Sequence, residues 1–247
     1  MKDNELELIA HLSELRRRLM IVLGVFLLFF AIALAYVESI YQWLVSDLDV
    51  KLALLGPGDV FWIYFQISAV FSLAFTIPIA AYQAWKFVLP ALKENERKAT
   101  FMLIPSLFLL FILGISFGYF LVFPIVLSFM EGLASDGFQQ FYTSEKYFSF
   151  LISLTVPFGL LFELPVVILF LTAIGLLNPR TLRKSRKLAY FCITVTSVLI
   201  TPPDLVSDIL VLVPLIFIYE VSISLSAYVY RKRLEQSKLD QDMSLQK

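Results

Sequence analysis

Cysteine and histidine are almost missing from this 247-residue chain, each occurring once, as Cys192 and His11. One cysteine excludes a disulfide framework or a cysteine-based metal site, and one histidine leaves little for a histidine-centred one. Charge is scarce as well: Asp, Glu, Lys and Arg make up 16% of residues, with 20 bases against 20 acids and a formal net charge of zero. No G-x-x-x-x-G-K-[ST] nucleotide loop occurs, and no Pro- or Ser-rich linker divides the chain. What is abundant is apolar surface, at 59% of residues and a mean hydropathy of +0.82. That excludes a water-soluble enzyme with a single core.

A membrane-spanning helix takes about 20 mostly apolar residues. Stretches between charged residues run 19–37, 60–85, 99–130, 147–179 (interrupted only by Glu163), 188–203 and 209–230 (interrupted only by Glu220). None alternates as a transmembrane barrel would, and a backbone in lipid must satisfy its own hydrogen bonds. The expectation is an all-α polytopic membrane protein: one domain of six transmembrane helices over 1–230, then a polar cytoplasmic tail over 231–247. At 1.5 Å per residue the third stretch reaches about 48 Å and the fifth about 24 Å, against a hydrocarbon core of about 30 Å. The long helices must therefore tilt, kink or protrude, with Pro78, Pro105, Pro124, Pro157, Pro165 and Pro214 as candidate kinks, and short fifth and sixth helices would make the bundle concave.

With the N-terminus placed in the cytoplasm, 18 of the 20 bases fall on the inside, and only Lys51 and Lys146 lie outside. The positive-inside rule then puts both termini in the cytoplasm. Ala33-Leu34-Ala35 has the look of a cleavage site, but acids precede the first stretch and it is long enough to span, so it is read as uncleaved.

Two carboxylates stand where lipid makes them costly. Glu163 sits near the centre of its stretch, and Glu220 is similarly central, with no Lys, Arg or His inside any span to neutralise either. Insertion scales put the cost at about 2.5 to 3.5 kcal/mol. Each is protonated, hydrated, or bonded to neutral groups such as Ser153, Thr155, Thr194, Thr196 or Ser197. A polar pocket or proton-coupled step is one reading, and a neutral interhelical link worth about 1 kcal/mol is the other.

Before the first span, residues 4–18 are amphipathic: Leu8, Leu12, Leu15 and Leu19 form one stripe and Glu7, His11, Glu14 and Arg18 the next. This segment is expected to lie along the cytoplasmic surface before turning inward, with Glu14 and Arg18 pairing at i,i+4. On periodicity alone it is a solvated anchor. The loop from Lys86 to Lys98 holds Glu94-Asn95-Glu96-Arg97-Lys98, a mixed run that by spacing alone is also solvated. In Thr201-Pro202-Pro203-Asp204, the prolines stop one helix and Asp204 or Ser207 caps the next on the external side. Tyr36, Trp43, Trp62 and Trp85 read as interfacial anchors.

The order of these segments resembles the TatC family, the multispanning core subunits of the twin-arginine protein translocase. The resemblance rests on His11-Leu12-Ser13-Glu14-Leu15-Arg16-Arg17-Arg18-Leu19, Tyr82-Gln83-Ala84-Trp85-Lys86-Phe87 through Pro90-Ala91-Leu92 to Glu96-Arg97, Gly118-Tyr119-Phe120 with Phe123-Pro124, Phe162-Glu163-Leu164-Pro165, and Thr201-Pro202-Pro203-Asp204. Asp47-Leu48 stands where the family often has proline, and Gln66 where it often has lysine.

The resemblance implies a non-enzymatic subunit of the cytoplasmic membrane that binds twin-arginine signal peptides of folded precursors. It assigns that reading to Glu14 and Glu96, with Arg16 and Phe87 nearby, and it places Glu163 against a single-span partner. Partners would be TatA-type and TatB-type single-span subunits, further copies of the chain and the lipid bilayer, with no nucleic acid, cofactor or metal. Energy would come from the proton gradient. Arg16 to Arg18 and Arg97-Lys98 would orient the two recognition acids. The rivals are a proton-coupled small-solute transporter working through Glu163 and Glu220 and, more weakly, an intramembrane protease, for which a second His and an H-E-x-x-H are missing.

Overall fold

The computed structural model describes residues 2–46, 52–89, 97, 101–134, 141–201 and 204–245, with side chains from residue 12 onward except at 57, 133–134, 232–233 and 236–245. The helices are α1 (Lys2–Ala35), α2 (Val37–Val45), α3 (Pro57–Val88), α4 (Leu103–Phe117), α5 (Phe123–Ala134), α6 (Ser144–Phe162), α7 (Leu164–Ala173), α8 (Pro179–Lys184), α9 (Arg186–Ile200) and α10 (Leu205–Leu245). The chain is all-α. Five segments are long and apolar enough to cross a membrane: Leu12–Ala35, Gly58–Val88, Leu103–Gly132, Ser144–Ala173 and Leu205–Arg231. The remaining expected span, the fifth at 188–203, falls on the 15-residue α9, about 22 Å long and shorter than the hydrocarbon core.

One expectation is corrected. The amphipathic segment 4–18 does not turn before the first span, because α1 is one continuous helix of 34 residues. No proline lies in α1, and its first glycine is Gly24, so nothing breaks the backbone between the two segments. The segment read as a polar tail is helical as far as Leu245, as the continuation of the 41-residue α10. Of the six candidate kinks, Pro78, Pro157 and Pro214 lie inside continuous helices. Pro124 and Pro165, two of the same six, stand beside the breaks in the helical ladder.

Packing divides the chain into two compact units, 1–93 with 134–152, and 94–133 with 153–247. In the first, α1 lies along α3. Phe29 stacks on Phe75 at 5.3 Å, Phe30 meets Phe65 edge-on at 5.0 Å, and the Ser72 hydroxyl donates to the Phe26 carbonyl at 2.6 Å. Asp59 fixes the start of α3 by accepting from the amides of Leu55 and Gly56, both at 3.0 Å, which satisfies donors that a helix entry leaves open. Ala53 bonds across to the segment entering α6, donating to Tyr142 and accepting from Ser144 at 2.9 Å each.

In the second unit, α4 and α6 touch backbone to backbone. A Cβ added at Gly114 would stand 2.6 Å from the Phe158 carbonyl oxygen, one at Gly118 would stand 2.8 Å from Thr155 Cα, and one at Gly159 would stand 2.9 Å from the Phe111 ring. Small residues four apart on each helix, Gly114 and Gly118 against Thr155 and Gly159, allow that approach. Residues 114–118 also spell G-x-S-x-G, a nucleophile-elbow spacing. That motif needs a strand-to-helix turn, whereas here its glycines are filled by the facing helix. Gly118–Val122 is a π-helical turn, closed by the Phe123 amide bonding the Gly118 carbonyl. It immediately precedes Pro124, whose ring would clash with the carbonyl four residues earlier in a regular helix.

The α7 helix packs on α10. Inside that contact the hydroxyls of Thr172 and Ser226 meet at 2.7 Å, both fully buried. Helix α7 ends at Gly175, whose φ of 83° lies in the left-handed region open to glycine. Asn178 then caps α8 by accepting from the Arg180 amide at 2.9 Å.

Gly114→Ala is expected to destabilise the protein by about 1 to 3 kcal/mol, because the facing carbonyl must move to admit a methyl group. Gly24→Ala, where a Cβ would meet nothing within 4 Å, should be neutral or stabilising. Thermal unfolding in detergent separates the two variants.

Candidate functional site

The N-terminal helix carries Glu14 and Arg18 one turn apart, and the pair forms. Arg18 donates through Nη2 to Glu14 Oε1 and through Nε to the same oxygen at 3.2 Å. The arginine goes further than the i,i+4 spacing implies. Its other nitrogen donates to the carbonyl and side-chain oxygens of Gln83, each at 3.4 Å, and Nη2 also reaches the Lys86 carbonyl at 3.3 Å. These acceptors lie in the last turns of α3. Arg18 is only 14% exposed at its side chain while Glu14 is 41% exposed, so the polar stripe is not merely solvated. It is a latch that holds α1 to the end of α3 and presents Glu14 beside it. Phe87 lies one residue past the last carbonyl that Arg18 binds and is half-buried; Arg16 is exposed on α1. Glu96 lies outside the described residues.

Glu163 occupies the one-residue step between α6 and α7. Pro165 cannot donate an amide, so the ladder breaks there, and Glu163 itself donates to the Leu160 carbonyl at 3.2 Å. Its side chain is buried, and among the described residues neither carboxylate oxygen has a hydrogen-bond partner. Three of the five neutral partners expected from sequence donate elsewhere: Thr194, Thr196 and Ser197 donate to the carbonyls of Tyr190, Cys192 and Asp208.

Glu220 differs. Arg186 Nη2 donates to its Oε2 and the Tyr190 hydroxyl to its Oε1, both at 2.5 Å. The expectation of an intramembrane carboxylate without a cation is therefore corrected for Glu220. Arg186 stands two residues before the uncharged stretch, and its long side chain reaches inward along α9. Next to this pair, the Tyr219 hydroxyl donates to the Leu182 carbonyl at 3.1 Å, which ties α8 to α10 as well. On the other end of α9, the Ser197 hydroxyl donates to the Asp208 carbonyl at 3.0 Å. Asp204 caps the α10 entry by accepting from the Ser207 amide at 2.7 Å. Pro202 and Pro203 lie outside the described residues.

A family model described as "Sec-independent protein translocase protein (TatC)" matches residues 10–214. The chain belongs to the TatC family. It is 53% identical over 236 residues to Sec-independent protein translocase protein TatCd of Bacillus subtilis strain 168, covering 96% of this chain and 98% of that one. TatCy of the same organism is 41% identical, with 99% and 98% covered. Among solved structures, the "Crystal Structure of Twin Arginine Translocase Receptor- TatC" superposes with a TM-score of 0.76 at 34% identity, over 89% of this chain and 99% of that one. The chain is accordingly a multi-pass membrane component of a bacterial protein translocase and not an enzyme, and it works in a complex with other Tat subunits. Membership in TatC sets aside the small-solute transporter.

Arg186 and Tyr190 were not singled out in the sequence as partners of Glu220. The available signal was the spacing 186 and 190, one turn apart on a helix whose first residue is the last base before lipid but one. Replacing Arg186 by Ala leaves a partly buried carboxylate without its cation and is expected to cost about 2 to 3 kcal/mol. Arg186→Met with Glu220→Met should recover most of that loss, and a double-mutant cycle on thermal unfolding measures the coupling.

Proposed function

We propose that this TatC family chain is the receptor subunit that reads twin-arginine signal peptides at the cytoplasmic face and then recruits single-span partners of the TatA and TatB types. Six spans with both termini inside, the fifth being the short α9, give the topology that this reading needs. The observation that carries it is the Arg18 latch. By joining α1 to the last turns of α3, it ties the helix that carries Glu14 to the segment that leads in sequence through Phe87 to Glu96.

The chemistry suits two arginines. A guanidinium presents a planar fork that a carboxylate matches at two points, whereas a lysine offers a point charge. Both Arg18 contacts fall on one oxygen of Glu14, and a carboxylate has about four lone-pair sites. Pairing with Arg18 therefore orients Glu14. Glu96 supplies the matching acid for the other arginine, and the exposed Arg16 disfavours a lone stray cation. Each of Glu14→Ala and Glu96→Ala is expected to abolish binding and export of a twin-arginine precursor, down to the level of a Lys-Lys control peptide. Unchanged export in the double substitution would overturn the recognition role.

Glu163 is the partner-contact residue in this reading. A buried carboxyl without a hydrogen bond is costly, and a polar side chain on a partner helix relieves that cost. Glu163→Leu should therefore raise the stability of the isolated protein by about 1 to 3 kcal/mol while reducing export. A photo-crosslinker beside position 163 should capture a single-span partner in the wild type; capture of lipid alone would rule out that contact. Protonmotive force is the energy source proposed for the transport step.

A further inference from the structure

Where α1 ends and α3 begins, the first unit holds a cavity of about 260 Å³ lined by Leu34, Ala35, Val37, Glu38, Phe61 and Tyr64. None of these residues takes part in the proposed reading of signal peptides. The cavity has an unusual composition for a membrane edge: one carboxylate, two aromatic rings and an aliphatic floor. Among the described residues no hydrogen bond or ion pair engages Glu38, which is exposed at the start of α2. Tyr64 is held in place by Tyr41, edge-on at 5.8 Å, and Tyr41 in turn packs on Phe148 at 5.3 Å. The cavity is therefore a fixed cup and its carboxylate is available.

Aromatic faces and a carboxylate together select a cation. The position selects its source. Ala35 is the last residue of one apolar span and Gly58 the first of the next, so the cavity lies at the depth where hydrocarbon gives way to headgroups. Directly inward, Phe61 is 75% exposed and Phe65, one turn on, is 46% exposed. Trp62 stacks on Phe65 at 5.9 Å with an interplanar angle of 4°. An apolar track thus runs from the cup along α3, as acyl chains attached to the bound cation would require.

We propose that this cavity binds the primary ammonium of a phosphatidylethanolamine headgroup, with the acyl chains lying along Phe61 and Phe65. The ammonium donates to Glu38 and rests against Tyr64. An anionic phosphatidylglycerol headgroup offers no cation and is repelled by the same carboxylate.

Native mass spectrometry of the full-length protein, released from detergent after incubation with equimolar phosphatidylethanolamine and phosphatidylglycerol, tests this. The wild type should retain phosphatidylethanolamine about fivefold over phosphatidylglycerol, the scale of one favourable surface charge contact. Glu38→Gln and Tyr64→Leu should each bring that ratio toward about one, whereas Glu145→Gln, outside the cavity, should leave it unchanged. Equal retention of the two lipids by the wild type, or an unaltered ratio in Glu38→Gln, would overturn the proposal. Free ethanolamine at the same concentration should displace none of the lipid; displacement would show a site for small amines rather than for a lipid.

Discussion

Hydrocarbon offers a backbone amide or carbonyl no partner, and the rest of this architecture follows from that constraint. Helices satisfy it internally, so each place where the ladder is interrupted must be sheltered by protein. The second unit contains two such interruptions: the π-helical turn at Gly118–Val122 and the step at Glu163 before Pro165. Gly114 and Gly118 let α4 press against α6 at backbone distance. Gly118 and Val122, at the ends of the π turn, are buried, as is Glu163. Close packing and irregular backbone therefore occur together, and the first makes the second tolerable.

The same scarcity of partners governs the charges, with two different outcomes. Glu220 is reached by an arginine from the edge of the apolar stretch and by a tyrosine one turn further in. It thereby becomes part of what holds α9 to α10. Helix α9 is too short to span on its own, and polar ties at both of its ends, Arg186 with Glu220 and Ser197 with the Asp208 carbonyl, fix its depth. Among the described residues Glu163 has no comparable tie, and that is the cost which the proposed partner contact would relieve.

Much of this was legible in the amino-acid order. The span positions followed from charge spacing because lipid penalises charge far more sharply than it distinguishes among apolar residues, so five of the six stretches overlap helical segments long and apolar enough to cross a membrane. The Asp204 cap was likewise readable, since capping is local. Less was visible wherever two distant segments meet. Arg18 looked like a surface arginine paired with Glu14, and only the fold brings Gln83 and Lys86 within its reach. Arg186 lay just outside the stretch searched for intramembrane cations, yet its side chain is long enough to enter it. The prolines divide for a related reason: whether one breaks the helical ladder depends on how its neighbours take up the freed carbonyl, so Pro124 and Pro165 stand at breaks while Pro78, Pro157 and Pro214 lie inside continuous helices. The amphipathic N-terminus was expected to bend because its polarity changes, but polarity does not terminate a helix that lacks a breaking residue.

Helix α10 crosses its span and keeps going. From Leu205 to Leu245 it is a single rod of 41 residues, about 60 Å long, of which about 20 Å lies beyond Arg231. Such a rod is a lever. A tilt of about 10° within the bilayer swings its far end by about 10 Å, so a small rearrangement at Glu220 or Ser226 is magnified at the polar tip. Whatever approaches that tip meets a stiff pointer coupled to the membrane core rather than a loose tail.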